Sequence, residues 1–235
     1  MDGQLDVPMI NMLEQKLEKS RFTRVDSDII DRLIVKEDAH GEELAEDKRQ
    51  TLSTLFNGQL PKVQKVEFHV ETRAMGETSA PIVITQAEYM RRMKDMASIQ
   101  PGMSFYGEMP DMYSLVLNSD HKLVKQVLED AESACAEQLV PVESEIAMLT
   151  LRQKELQKAH EGKKDEEIPV AEKDELKDVE KKLDDQKQQK NNVLNTYAAG
   201  NKVVHQLIDL ALLQNNMLKG EALTNFVKRS IDLIG

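Results

Sequence analysis

The 235 residues carry 31 Lys and Arg against 42 Asp and Glu, and the resulting net charge of -11 makes nucleic acid an unfavourable partner. A single cysteine, Cys135, excludes an internal disulfide framework, and no apolar run approaches the roughly 20 residues of a membrane span. A composition that is 31% charged and 4% aromatic is typical of long solvated helices. We therefore predict a helix-rich cytoplasmic protein with no membrane partner.

The first 35 residues predict two short helices. Met9, Ile10, Leu13 and Leu17 have helical spacing, with Asp6 as the N-cap, and a second helix is predicted around residues 27–34. The charged segment at residues 36–48 indicates a boundary, so we divide the chain into residues 1–35 and 36–235. The first helix begins without a lead-in, which predicts a fragment of a longer protein.

Residues 44–128 predict a small α/β unit. Leu44, Leu52, Leu55 and Phe56 indicate a helix that ends near residue 57, where Asn precedes Gly. The alternation of apolar and polar residues at 66–70, the apolar run at 81–85 and the segment at 113–118 predict three strands. A helix from about 86 to 99 separates the last two strands, and Asp120 is predicted to cap the helix that follows the third.

Residues 137–198 predict a long antiparallel coiled-coil hairpin. Residues suited to a helical seam recur at steps of three and four in two arms, with a polar turn between them. The seam positions are Leu139, Val142, Ile146, Leu149, Gln153 and Leu156 in the first arm, and Leu176, Val179, Leu183, Gln186, Lys190 and Val193 in the second. Because Gln186 and Lys190 interrupt the apolar seam, we expect marginal stability far from the base.

The residues from Asn201 onward predict two helices. The first is apolar on nearly every side between residues 203 and 212, so it must be covered all round. The second, after a break at residues 216–220, carries one apolar stripe that includes Leu223 and Ile231. Either the α/β unit or a second copy of the chain covers the rest of the first helix, and a dimeric four-helix bundle is the economical solution.

Catalytic and metal-binding motifs are absent from the sequence. It contains no phosphate-binding loop and no nucleophile or zinc motif, and its five histidines lack ligand spacing. Asp120 and His121 could serve an unrecognised hydrolase, but such a pair at a helix start is more often a cap. Cys135 is expected to be a small packing residue. We predict no enzyme activity, no metal and no cofactor in this chain.

Methionines are concentrated between residues 89 and 112. On a helix, Tyr89, Met93 and Met96 share one face, and methionine adapts to apolar shapes of many kinds. This face either packs on the sheet or binds other proteins, and the sequence leaves both interpretations open.

Several segments together resemble a known family. They are MINMLEQKLEKSRFTRVDSD at residues 9–28, MRRMKDMA at 90–97, FYGEMPDMYSLVLNSDHKLVKQVL at 105–128 and LIDLALLQNNMLKGEALTNFVKRSIDLI at 207–234. With the Asn-x-Asp-His step at Asn118, Asp120 and His121, they resemble the C-terminal region of the bacterial heat-shock protein 90 family. The first segment resembles the end of that family's middle domain. The resemblance is weakest over residues 137–198, which look like an insertion.

The resemblance implies a dimerisation domain that also binds client proteins. It implies a dimer contact through the last two helices, for which we expect Leu207, Leu210, Ala211, Leu223, Phe226, Val227 and Ile231. It implies client binding by the helix before the Asn-x-Asp-His step and by the end of the middle domain, for which we expect Asn11, Tyr89, Met90, Met93 and Met96. ATP and Mg²⁺ would bind an N-terminal domain of the parent protein that this chain lacks.

We therefore predict an α+β, helix-rich fold: a small three-stranded sheet with helices, a coiled-coil hairpin at 137–198, and a dimeric four-helix bundle. Residues 1–35 are the predicted tail of the middle domain, and residues 36–235 the C-terminal dimerisation domain. The predicted function is dimerisation and binding of partly unfolded clients within an ATP-dependent chaperone. The alternative is a coiled-coil adaptor that acts through the 137–198 hairpin.

Overall fold

Helices dominate the chain, and one small sheet accompanies them. The computed structural model describes residues 6–17, 19, 20, 22, 44–62, 65–97, 107–162 and 168–234. The helices are α1 (Asp6–Lys16), α2 (Glu46–Asn57), α3 (Glu88–Ala97), α4 (Lys122–Ala134), α5 (Ala136–His160), α6 (Val170–Gly200), α7 (Lys202–Gln214) and α8 (Gly220–Ile234), and the strands are β1 (Val66–Arg73), β2 (Ile82–Thr85) and β3 (Asp111–Asn118). The predicted helix-rich class with a three-stranded sheet is confirmed. The helix predicted around residues 27–34 lies outside the described residues.

The three strands form one sheet in the order β1-β3-β2, in which β3 is parallel to β1 and antiparallel to β2. Val70 and Ile84 both align with Leu115, so these three side chains share a face because strand residues alternate between faces. All three are buried. The rings of Phe68 and Tyr113 continue this face with their centroids 5.8 Å apart.

Helices α2 and α7 contact both the sheet and each other. α2 packs on β1 and α7 on β2, although they lie far apart in sequence. The apolar faces that they bury include Leu55 and Phe56 in α2 and Val204 and Ile208 in α7. Part of the all-round apolar surface of α7 is therefore covered within the same chain.

Two compact units divide the chain. One comprises residues 1–126 and 202–235, and the other residues 127–201. The chain leaves the first unit within α4 and returns to it at α7, so the second unit is inserted into the sequence of the first. The division predicted at residue 35 remains a prediction, since residues 23–43 are not described.

Helices α5 and α6 of the second unit pair in antiparallel fashion. Their cross-contacts run in opposite directions: Lys190 binds Glu143 at 2.6 Å, Arg152 binds Glu175 at 2.6 Å, and His160 binds Glu172 at 3.1 Å. The buried apolar residues of the two helices are Leu139, Val142 and Leu156 in α5 and Val179, Leu183, Leu194 and Ala198 in α6. The other residues expected at the seam are half-buried: Ile146, Leu149, Gln153, Leu176, Gln186, Lys190 and Val193. Coiled-coil packing of this pair remains a prediction.

The start of α4 differs from the prediction. The ring Nδ1 of His121 accepts the backbone N–H of Leu123 at 3.1 Å, so His121 and not Asp120 caps the helix. The carboxylate of Asp120 instead accepts the backbone N–H of Gly76 at 2.8 Å. Sequence alone could not indicate that a distant loop would approach this carboxylate.

Candidate functional site

The sequence offered Asp120, His121 and Cys135 as candidates for chemistry. Among the described residues, no group of three or more His, Cys, Asp or Glu side chains could hold a metal ion. Asp120 and His121 are both engaged in the turn before α4. Cys135 is buried, and this burial raises the pKa of its thiol above the ordinary 9.0, the opposite of what an activated nucleophile requires. Nor does any helix of the described chain have the length and apolarity to cross a membrane.

A single guanidinium joins α1 to α3. Arg92 donates through Nη1 to Glu14 at 2.9 Å and to Asn11 at 3.2 Å, and through Nη2 to Glu14 at 3.2 Å and to the backbone carbonyl of Phe22. The two-point bond to one carboxylate fixes the orientation of the guanidinium and strengthens the contact between the two helices. The side chains of Arg92 and Glu14 are only 18% and 22% exposed, so solvent screens this ion pair less than a fully exposed one.

The residues expected to bind clients lie at this helix pair. Tyr89 is 61% exposed, whereas Met90, Met93 and Met96 are half-buried. Asn11 is also half-buried, and its amide lies 3.9 Å from the sulfur of Met96. The structure therefore places these five residues on two contacting helices and leaves Tyr89 largely open to solvent.

Sequence reasoning missed the exposed apolar residues of α1 and its end. Met9 is 41% exposed, and Met12 and Leu17 are each 47% exposed. Helical spacing grouped Met9 and Leu17 with Ile10 and Leu13, but Ile10 and Leu13 are half-buried while Met9 and Leu17 are exposed. We use the name methionine surface for the exposed apolar residues of α1, its end and α3, which are Met9, Met12, Leu17 and Tyr89.

Helix α8 packs on α7 through polar side chains. Arg229 donates through Nε to Oε1 of Gln206 at 3.1 Å and also binds Asp209. Gln206 in turn donates to the hydroxyl of Ser230 at 2.5 Å. These contacts hold the polar side of α8 against α7.

The described part of the chain leaves most of the apolar stripe of α8 uncovered. Leu223 is 36% exposed, Val227 48% and Ile231 65%, while Phe226 is half-buried. Leu210 of α7 is 37% exposed. The remaining residues expected at a dimer contact, Leu207 and Ala211, are buried within the chain at 4% and 1% exposure.

Curated relatives match this chain along its whole length. Chaperone protein HtpG of Bacteroides fragilis is 65% identical over 234 residues, and that of Bacteroides thetaiotaomicron 62% identical. Chaperone protein HtpG of Porphyromonas gingivalis is 45% identical over 234 residues. Each match covers 100% of this chain and 34% of the relative. The chain matches the C-terminal region of the bacterial HtpG chaperones.

The HtpG matches include the inserted second unit. Because they cover the entire chain, residues 127–201 have counterparts in these relatives and are not peculiar to this sequence. The chain spans about a third of the length of these HtpG proteins, as the 34% coverage states. No family model matches the chain, and no solved structure matches it.

Proposed function

We propose that this chain dimerises and binds partly unfolded client proteins as part of an ATP-dependent HtpG-type chaperone of the cytoplasm. The relatives are named chaperone proteins, and the proposal extends that role to this chain. ATP and Mg²⁺ binding is assigned to the part of the whole protein that lies outside this chain. The observation that carries the proposal is the uncovered apolar stripe of α8.

The stripe of α8 supports dimerisation through a bundle with α7. Leu223, Val227 and Ile231 follow one another at steps of four, so they line one side of a helix whose polar side is already occupied by α7. Burying a large aliphatic side chain stabilises an interface by about 1.5–3 kcal/mol. Two α7–α8 pairs that join along this stripe make a four-helix bundle. In this arrangement Leu207 and Ala211 support the bundle from within each chain.

Sedimentation equilibrium over a wide concentration range tests the dimer. The wild-type chain is expected at a mass near twice 26.7 kDa. Ile231→Glu is expected to shift the population toward the monomer, because a charge on the stripe would be buried in the contact. Asn225→Glu, which adds the same charge at an exposed position of α8 outside the stripe, is the matched control. A monomeric wild-type chain at every concentration refutes the dimer.

The methionine surface supports client binding. Partly unfolded proteins expose apolar side chains of varied shape, and flexible methionines accommodate such shapes. Met9, Met12 and Tyr89 are exposed to solvent on adjoining helices. In a dimer this surface would be present twice, which raises the local concentration of binding sites for one client.

A binding assay with reduced and carboxymethylated lactalbumin, which stays unfolded, tests this surface. Met12→Asp combined with Tyr89→Asp is expected to weaken binding about tenfold, since two exposed apolar contacts are lost. Gln15→Asp with Lys16→Asp is the control, because both positions are exposed on α1 without being apolar. Unchanged binding in the first variant, with the dimer intact, contradicts a role for the methionine surface.

A further inference from the structure

Helix α5 has two apolar faces on opposite sides. One face, with Leu139, Val142 and Leu156, is buried against α6. At about 100° per residue, a second group of uncharged residues lies about 180° away from the first. This outer face comprises Val140, Ser144, Ala147, Met148 and Leu151, all exposed.

The outer face is the main apolar surface of the second unit that the described residues leave uncovered. Val140 is 63% exposed, Met148 65% and Leu151 62%. Among the described residues of this unit, one other large apolar side chain is as exposed as these. It is Val170, in the first turn of α6. Three such residues within 12 positions of one helix face exceed the scattered single residues of an ordinary surface.

We propose that the outer face of α5 pairs antiparallel with the same face of a second copy of this chain. Seam positions in such a pair alternate by steps of three and four, here residues 137, 140, 144, 147, 151 and 154. In a two-fold antiparallel pair, Val140 of one copy lies opposite Leu151 of the other, and Ser144 lies opposite Ala147. Two apolar layers then flank a centre of small side chains that lets the helices approach closely.

Charge complementarity favours a second copy of this chain as the partner of the outer face, and it also favours one register. The seam ends on an acidic residue, Glu137, and on a basic one, Lys154, and both are exposed. In the antiparallel register each Glu137 faces Lys154 of the other copy, so the favourable pair occurs twice. A shift by one heptad places Val140 opposite either Lys158 or Ser144, which loses the apolar layers.

The size of this contact predicts weak association. One helix face offers less than the about 800 Å² per partner of a standard stable interface. The pairing should therefore depend on concentration, and it is separate from the contact proposed for α8. A chain with two different two-fold contacts assembles beyond the dimer.

The experiment measures mass by sedimentation equilibrium, up to high concentration, for the full chain and for Ile231→Glu, in which the proposed α8 contact is disrupted. In the Ile231→Glu background the outer face is expected to give a monomer–dimer equilibrium. Adding Leu151→Glu should weaken it about a hundredfold or more, because the symmetric contact loses two apolar side chains and gains two buried charges. Val170→Glu is the matched control and should leave it unchanged.

Charge reversal tests the register independently of folding. Glu137→Lys alone and Lys154→Glu alone are each expected to weaken self-association about tenfold, since like charges then face each other. The double variant should restore it. Residues 137 and 154 of one helix are about 25 Å apart at 1.5 Å per residue, so restoration reports a contact between copies.

Each result decides the proposal. A mass in the Ile231→Glu background that stays monomeric, or that Leu151→Glu leaves unchanged, overturns the pairing, even where the wild-type chain dimerises through α8. Failure of the double charge reversal to restore association overturns the antiparallel register. Loss of association in Leu151→Glu and in both single reversals, with recovery in the double variant and no change in Val170→Glu, supports it.

Discussion

The side-chain amide of Asn118 donates to the backbone carbonyl of Gly76 across 2.8 Å, and it thereby joins two turns that are 42 residues apart in sequence. The same amide donates to the carbonyl of Ala80 at 3.3 Å, and Oδ1 accepts the backbone N–H groups of Met75 and Asp120, each at 3.1 Å. Asn118 is fully buried, so all four of its hydrogen bonds form away from solvent. Asn118 of the Asn-x-Asp-His step therefore has a structural role, because it holds the segment at residues 75–80 against the end of β3.

Replacing Asn118 with Asp should destabilise the first unit by about 2–4 kcal/mol, because a buried carboxylate would face two carbonyl oxygens that the amide now satisfies. Urea denaturation followed by circular dichroism measures the loss. Asn225→Asp, at an exposed position of α8, should change the free energy of unfolding by less than about 0.5 kcal/mol. A similar small change in both variants contradicts this structural role of Asn118.

Replacing Arg92 with Lys should loosen α1 from α3. A lysine ammonium cannot reproduce the two-point bond to Glu14 together with the bonds to Asn11 and Phe22. Hydrogen exchange should show faster exchange in residues 6–16, with little change in the sheet. Arg91→Lys is the control, because Arg91 donates through Nε to the side-chain oxygen of Gln86 at 2.9 Å, just before α3. Equal exchange in α1 for both variants contradicts the assigned role of Arg92.

Replacing Gln186 with Leu should stabilise the helix pair of the second unit. Its Oε1 is buried and has no hydrogen-bond partner among the described residues. Leu has a similar volume and removes the unsatisfied oxygen, so we expect a gain of about 1 kcal/mol in the free energy of unfolding. Thermal unfolding measures it, with Gln188→Leu, at an exposed position of α6, as the control. A lower melting temperature for Gln186→Leu would mean that the amide is satisfied by solvent.

The stability of the second unit should fall at alkaline pH. Burial is the largest cause that raises the pKa of both Cys135 and Tyr197, whose ordinary values are 9.0 and 10.0. Folding therefore favours the protonated forms, and this contribution is full below the ordinary values and is lost as pH rises through the raised ones. Urea midpoints between about pH 8 and about pH 11 should decline less steeply in Cys135→Ala with Tyr197→Phe. Parallel pH profiles for the variant and the wild type contradict this linkage.

Periodicity in the sequence predicted most of the elements. The alternation of Val66, Phe68 and Val70 marked β1, and the break at residues 216–220 separated the last two helices, as the structure has them. Such patterns are local, because each depends only on the residues of its own helix or strand. The pairing order of the strands is a property of the whole chain, and no local pattern determines it.

Contacts over long distances in sequence were the part that could not be predicted. Helical spacing grouped Met9 with Ile10 and Leu13, but spacing alone does not say which side of a helix another element will cover. The choice of His121 over Asp120 as a cap depends on the loop at Gly76. Likewise, the sequence could not indicate which part of α7 the same chain covers, because that depends on the positions of α2 and β2.

The insertion of the second unit has a consequence for the order of folding. Helices α5 and α6 are neighbours in sequence, and their contacts close after a short connecting segment, whereas α2 meets α7 only across the whole inserted unit. Local contacts form faster than distant ones, because less chain entropy is lost in closing them. Pulse-labelled hydrogen exchange during refolding should therefore protect α5 and α6 before α2 and α7. During synthesis, residues 1–126 leave the ribosome before α7 does. The core of the first unit can therefore close only after the inserted unit and α7 have been synthesised.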